Sequence, residues 1–373
     1  MRRVFSRRPA CGSGDGGEVS DSNRNASPAL LSCPAPGPEG EVVVLGHGSG
    51  GRLTAELVSK VFLSALSNPI LDRLNDSAEM KVGASRIVFT TDSFVVSPLR
   101  FPGGDIGSLA VNGTVNDLAV AGGQPLGLSA AFILEEGLPI AELEAIVQSM
   151  RTAADRAGVA IIAADTKVVE HGKADGLFIT TSGIGVVAGS TELGPERIQV
   201  GDAVLVSGPI GDHGISVMSA REGLEFQTTI VSDSAPLNGL VSLMLESGGA
   251  IRCMRDPTRG GVATVINELA KSSGVEILIE ETAMPVRDGV RAACEILGLD
   301  PLYVACEGRL VAIVDSASAD KVLVAMRRHS LGRDSCRIGS VTGSGASRVL
   351  LRTAFGTTRL LDVLAGAQLP RIC

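Results

Sequence analysis

The chain has 373 residues, 45% of them hydrophobic and 20% charged, and a formal net charge of −8. That length suggests two domains with room for real cores, and the acidic balance argues against nucleic acid or an anionic membrane as a partner. With no Trp, one Tyr and nine Phe there is no stacking platform for single strands, and the seven cysteines include no CxxC pair.

A disulfide framework or zinc site is therefore not expected, and the compartment reads as a reducing cytoplasm. No apolar run approaches the roughly 18 residues of a membrane span. Residues 1–40 are rich in Gly, Ser and Pro and read as a disordered leader. Met1–Arg8 is basic, but no apolar segment follows to make a secretory signal. Cys11, in CGSGDGG, is weighed below as a reactive thiol.

Folding is expected to begin at Glu41, with a strand over Val42–Leu45 and then Gly46-His47-Gly48-Ser49-Gly50-Gly51. Such glycines let backbone N–H groups approach an anion, so a phosphate cradle involving Gly50 and Gly51 is possible. No GxxxxGK[ST] is present, which excludes a P-loop. Arg52–Leu66 has the spacing of an amphipathic helix. Arg86–Thr91 reads as a strand running into Asp92.

After the Gly103-Gly104 turn, Asp105 is a plausible N-cap for a helix whose apolar stripe holds Ile106, Leu109, Ala110, Gly113 and Val120. Asp117 falls in the middle of that stripe, flanked by Asn112 and Asn116. A carboxylate aimed where the apolar face points must be paired, hydrogen-bonded or metal-bound. A strand follows over Leu128–Leu134, then a helix over Ile140–Ala157 stopped by Gly158. The strand Val159–Ala164 runs into Asp165-Thr166-Lys167, and Leu177–Val187 is a longer strand. Acidic residues at strand ends suit a hard cation, and Mg²⁺ commonly takes one or two carboxylates plus substrate phosphates. Asp92, Asp117 and Asp165 together point to a nucleotide–Mg²⁺ site, and the interleaved elements to a mixed α/β domain over residues 41–190.

A second α/β domain is expected over residues 191–352. Its strand Ala203–Ser207 leads through Gly211-Asp212-His213-Gly214 into a helix. The turn Arg255-Asp256-Pro257-Thr258-Arg259-Gly260-Gly261 precedes a helix over Val262–Lys271 and suits phosphate contact, with Arg255 and Arg259 at hand. His213 reads as a satisfied structural or nucleotide-proximal residue. Residues 353–373 read as a flexible tail ending in Pro370-Arg371-Ile372-Cys373, whose terminal thiol could swing between partners.

GHGSGG, FTTDSFVVSPL with FPGGDIGSLAVNGTVNDLAV, FILEEG, ADTKVVE, GDHGI, RDPTRGG, EGRLV and the terminal PRIC occur in order over residues 41–373. Together they resemble the HypE family of hydrogenase maturation proteins, carbamoyl dehydratases of the PurM-like (aminoimidazole ribonucleotide synthetase) superfamily. The resemblance implies a homodimer of two-domain α/β chains with ATP and Mg²⁺ near the dimer interface. It implies that Cys373 receives a carbamoyl group from a HypF-type carbamoyltransferase. The thiocarboxamide is then dehydrated with ATP to a thiocyanate, and the cyanide passes to iron on a HypC–HypD complex for a [NiFe]-hydrogenase.

On this reading Asp92, Asp117 and Asp165 hold the metal, and Asn112, Asn116, Gly50, Gly51 and Gly104 lie around the nucleotide. Cys373, Lys167 and Glu307 carry the chemistry, with Glu307 as the base and Lys167 stabilising charge or moving a proton. The sequence departs from the family pattern at Cys306, where Asn is expected. Two rivals are a non-catalytic carrier with a docking tail and a selenophosphate-synthetase-like enzyme using Cys11. The latter would want a Lys soon after the Cys, and none occurs before Lys60.

Overall fold

The computed structural model describes residues 42–189, 192–224, 230–364, 366 and 369–373. The leader, the expected start at Glu41 and Cys11 lie outside the described residues.

From Val43 onward the chain is one body built on two sheets. The first has five strands: β1 (Ala78–Val82), β2 (Ser85–Phe94), β5 (Gly123–Glu135), β6 (Ile161–Val169) and β7 (Leu177–Val187), in the order β1-β2-β7-β5-β6. A short ribbon of β3 (Arg100–Phe101) and β4 (Gly104–Asp105) leads into helix α3 (Ile106–Val120), and α4 (Ile140–Ala157) links the parallel pair β5 and β6. Asp105 caps α3 as expected, its Oδ1 accepting from Ser108 N at 2.8 Å. Helix α3 covers one face of the sheet; the other face lies open, with Phe89 and Ile133 each about two-fifths exposed.

The second sheet has seven strands, in the order β14-β13-β10-β12-β8-β11-β9. These are β8 (Ala203–Val206), β9 (Ile251–Arg255), β10 (Val275–Glu280), β11 (Val311–Val314), β12 (Cys336–Ser344), β13 (Arg348–Arg352) and β14 (Thr358–Leu360). Helices α5 (Asp212–Glu222), α6 (Asn238–Glu246), α7 (Gly261–Ser273), α8 (Asp288–Leu297) and α9 (Ala319–Arg327) accompany it. Strands β8 and β11 are buried at every position, so their residues alternate between two cores. Val204, Val206, Val311 and Ile313 join one; Ala203, Leu205, Ala312 and Val314 join the other.

Several local expectations are corrected. Val43 and Val44 are exposed non-strand residues, and Leu45 opens a 3₁₀ turn, Leu45–Gly48. Arg52–Leu66 is helical, as α1 (Arg52–Leu57), a π turn (Val58–Leu63) and α2 (Ser64–Leu66), yet it buries no residue. Helix α3 has no single apolar stripe. Only Ser108 and Asp117 keep partial exposure, because the helix is wedged between the sheet, α4 and the second core, where Ala119 and Val120 pack. Asp92 and Asp165 do not end their strands; β2 and β6 continue through them. The hairpin strand β1 and the late strands β12 to β14 were not read from the sequence.

Candidate active site

The site forms where β2, α3 and the turn before α7 meet. The register pairs Asp92 of β2 with Thr181 of β7, and Thr181 hydrogen-bonds into α3 through Thr114 and the Ala110 carbonyl. Directly paired residues share a face, so Asp92 points toward α3. It does so across Gly113, where a Cβ would lie 4.0 Å from Asp92 Oδ2 and 2.9 Å from the Phe94 ring. Asp117, on the same helix, accepts a 2.7 Å hydrogen bond from Thr90 Oγ1.

Two further aspartates, not singled out from the sequence, join them. Asp76 precedes β1, its side chain 3.4 Å from Arg255. Asp256 follows Arg255 in the turn and is buried, with Oδ2 lacking any partner among the described residues. Burial raises the pKa of Asp117 well above the carboxylate range, and the charges of Asp256, Asp76 and Asp92 raise it further. Burial and Asp76 likewise push Asp256 to about 8. The signal for Asp256 lies in the R-D-P-T-R-G-G turn, where the two arginines are the more conspicuous residues. Asp76 was missed because β1 was.

Mutual repulsion in a buried acidic cluster marks a place built for positive charge. Among the described residues, however, no three acidic, His or Cys side chains stand close enough to form a ready-made metal site. A cation there would be held by one or two carboxylates completed by phosphate oxygens. A cavity of about 390 Å³ adjoins the cluster through Asp76, Ser77 and Arg255.

Arg255 is already engaged by Asp76, by Glu268 at 3.0 Å and by the Leu74 carbonyl, so it is not free for phosphate. Arg259 is differently placed. It donates to the Gly48 carbonyl at 3.2 Å and faces Cys373, Asp92 and Glu307, whose charges raise its pKa. The GHGSGG loop therefore lies on the RDPTRGG turn. Gly50, at φ +78°, would place a Cβ 2.9 Å from the Arg259 carbonyl oxygen. Gly51 lets Arg52 N reach the Leu364 carbonyl at 3.0 Å, which joins the loop to the tail.

The tail residues expected to swing are seated in this site. Cys373 lies beside Arg259, Glu307 and Asp92; burial raises its thiol pKa, Arg259 opposes that, and the two carboxylates add to it. Glu307 is 1% exposed and its Oε1 has no partner among the described residues. Burial, then Asp256 and Asp92, raise its pKa well above the usual range, while Arg259 acts the other way.

Other expected residues are placed differently. Asn116 donates to the Glu307 and Ala235 carbonyls and accepts from Leu237 N at 2.8 Å, so it fastens the segments of the second half to α3. Asn112 donates to Ser234 Oγ and keeps a buried Oδ1 with no partner among the described residues. Gly104 packs against Phe101 and Ser108 in the ribbon. Cys306 is fully buried and accepts from Gly211 N at 3.3 Å; burial raises its thiol pKa, so it is an inert structural thiol.

Asp165 and Lys167 pair with each other at 2.7 Å, both about two-thirds exposed. Asp165 sits in register with Ala131 and, through it, Thr180, one row away from Asp92 and Thr181. It therefore faces the open side of the sheet, three strands or about 14 Å from Asp92 at the usual strand spacing. Within one chain the structure does not bring Asp165 and Lys167 to Asp92 and Asp117.

Residues 74–187 match the family described as AIR synthase related protein, N-terminal domain, and residues 199–352 its C-terminal domain. The chain is 54% identical over 327 residues to the carbamoyl dehydratase HypE of Azotobacter vinelandii, covering 88% of this chain and 96% of that one. A crystal structure of a HypE–HypF complex superposes with a TM-score of 0.79 at 49% identity, covering 83% of this chain and 99% of the other. The hydrogenase maturation protein HypE in complex with ATP gives a TM-score of 0.75 at 46% identity, covering 89% and 100%. The mixed α/β architecture is the two-domain PurM-like fold.

Proposed function

The chain belongs to the HypE family of carbamoyl dehydratases, and on that footing we propose that it serves [NiFe]-hydrogenase maturation by dehydrating a carbamoylated Cys373 with ATP. The observation that carries this reading is the seating of the terminal thiol against Arg259, Glu307 and the acidic cluster.

The thiocarboxamide oxygen is a poor leaving group. Transfer of the γ-phosphoryl of ATP onto that oxygen releases ADP and activates it. Removal of both N–H protons and departure of phosphate with the C–O bond then leave a nitrile on sulfur, a thiocyanate. Glu307 accepts a proton: a carboxylate whose burial raises its proton affinity is a better base once ionised, and Arg259 favours that ionised form. Arg259 also neutralises charge developing at the transferred phosphoryl. One or two carboxylates of the cluster Asp76, Asp92, Asp117 and Asp256 would hold Mg²⁺ together with the triphosphate, and the metal would supply charge neutralisation. The unpartnered Oδ2 of Asp256 fits that role.

The open sheet face, with Phe89, Ile133, Asp165 and Lys167 exposed on it, supports a homodimer. A second copy laid on that face would cover Asp165 and Lys167. A HypF-type carbamoyltransferase would load Cys373, a HypC–HypD complex would receive the cyanide, and the reactions belong in the cytoplasm. No helix among the described residues is long and apolar enough to cross a membrane.

ATP turnover tests the proposal against a carrier without chemistry. The carbamoylated protein should hydrolyse one ATP per Cys373, and Cys373→Ala should hydrolyse none. Equal turnover in both would refute it.

A further inference from the structure

The last four residues are held by the Arg371 side chain, which pairs with Asp175 at 2.7 Å and donates to the Val95 carbonyl at 3.0 Å, by burial of Ile372 in the core, and by donors to their backbone oxygens. Arg221, on α5, donates from one terminal nitrogen to the Pro370 carbonyl and from the other to the Arg371 carbonyl, both at 2.7 Å. Its Nε donates to the Ser97 carbonyl at 2.8 Å, which fixes the guanidinium plane against the body. His213 Nε2 donates to the Ile372 carbonyl at 2.8 Å, so its Nδ1 accepts from Ser232 Oγ at 2.9 Å. The backbone N–H groups of Val95 and Ser97 donate to Cys373 and Arg371 at 3.0 and 3.3 Å. The tail thus lies beside Val95–Ser97, beyond the end of β2, with a donor on the carbonyls of Pro370, Arg371 and Ile372 and on a terminal carboxylate oxygen of Cys373.

Carbonyl recognition has a chemical consequence. A clamp that reads the backbone does not change when the sulfur of Cys373 carries hydrogen, a carbamoyl group or a cyano group. Side-chain contacts to the thiol would have to be remade at each stage. Arg221 makes two of the five hydrogen bonds to the tail's backbone oxygens in a fixed fork, which a Lys could not reproduce. Its place beside Arg371 is otherwise unfavourable for a cation, and its site is partly buried.

We propose that Arg221 is a positioning residue for dehydration, clamping the tail through the Pro370 and Arg371 carbonyls so that the modified Cys373 sits at Arg259 and Glu307. It takes no part in loading the thiol, because the carbamoyltransferase must reach Cys373 with the tail released from this clamp. The inference rests on the dehydratase reading above.

The test uses the full chain with Arg221→Ala and Arg221→Lys. Protein pre-carbamoylated on Cys373 is mixed with ATP, and single-turnover dehydration is followed by intact mass. Loss of two charge-assisted hydrogen bonds should slow Arg221→Ala by about 10- to 100-fold. Carbamoyl transfer from the partner enzyme should proceed at the wild-type rate or faster, and ATP affinity should hold. Alkylation of unmodified Cys373 by iodoacetamide should rise at least about tenfold, since the opened tail exposes the thiol. Arg221→Lys, which keeps the charge without the fork, should fall between the two and serves as the readout if Arg221→Ala does not fold. Dehydration at the wild-type rate, or equal slowing of loading and dehydration, overturns the proposal. If wild-type protein itself never dehydrates, the dehydratase reading fails, and the alkylation arm alone still decides whether Arg221 clamps the tail.

Discussion

Glycine 113 offers a test of whether the site is set by close packing of α3 on β2. In a helix interior, Gly→Ala ordinarily stabilises by about 0.8–1 kcal/mol. At Gly113 the added methyl would stand 2.9 and 3.1 Å from two carbons of the Phe94 ring, which is itself 1% exposed and has nowhere to turn. Overpacking of this kind costs about 1–3 kcal/mol, so the two effects sum to a loss of about 0–2 kcal/mol. Phe94 lies two residues from Asp92 on the same face, so the ring's displacement also moves that carboxylate. Gly289, in the first turn of α8, is the control, since a methyl there meets only Ile230 at 3.7 Å and should stabilise by less than the interior value. Urea denaturation of Gly113→Ala and Gly289→Ala, with ATP affinity measured alongside, gives the comparison. Opposite signs of stability change, with weaker ATP binding only in Gly113→Ala, are expected. Stabilisation of both by similar amounts would refute the packing argument.

The acidic cluster should make the nucleotide-free protein less stable as pH rises. Asp256 titrates near 3.8 when unfolded and is pushed to about 8 in the fold, so its protonated form is favoured by folding. Its stabilising contribution is complete below the lower value and is lost as pH rises through the higher one, an effect of about 2 kcal/mol between pH 6 and pH 8. Asp256→Asn should flatten that slope in thermal unfolding, and parallel pH profiles would contradict the assignment. Cys306→Ala leaves the buried Gly211 N–H without its acceptor and should cost about 1–3 kcal/mol in urea denaturation. Its dehydration rate should be unchanged; a slower rate at unaltered stability would give that thiol a chemical role.

Much of the site was legible because its residues break local rules. Asp117 inside an apolar helix, and the glycines of GHGSGG and RDPTRGG, all sit where the structure brings loop, turn and tail together. The residues that were misjudged depend on long-range pairing that sequence periodicity does not carry. Asp92 and Asp165 both follow apolar strand-like runs and look equivalent along the chain, yet one row of register sends them to opposite faces. Asn112 and Asn116 look like ligands on a helix flank, but their partners, Ser234 and the Glu307 carbonyl, lie 122 and 191 residues away. Residues 42–45 have strand composition but no strand to pair with among the described residues. The tail has the Gly and Pro content of a free arm. Its seating comes from Arg221, His213 and the end of β2, none of which is near it in sequence.

The most direct test of the central claim is intact mass after incubation with carbamoyl phosphate, ATP and the partner carbamoyltransferase, beside Cys373→Ala. A gain of one carbamoyl group less one water, confined to Cys373, is predicted. A carbamoyl adduct that forms but never loses water, with ATP present, would contradict dehydration at this site.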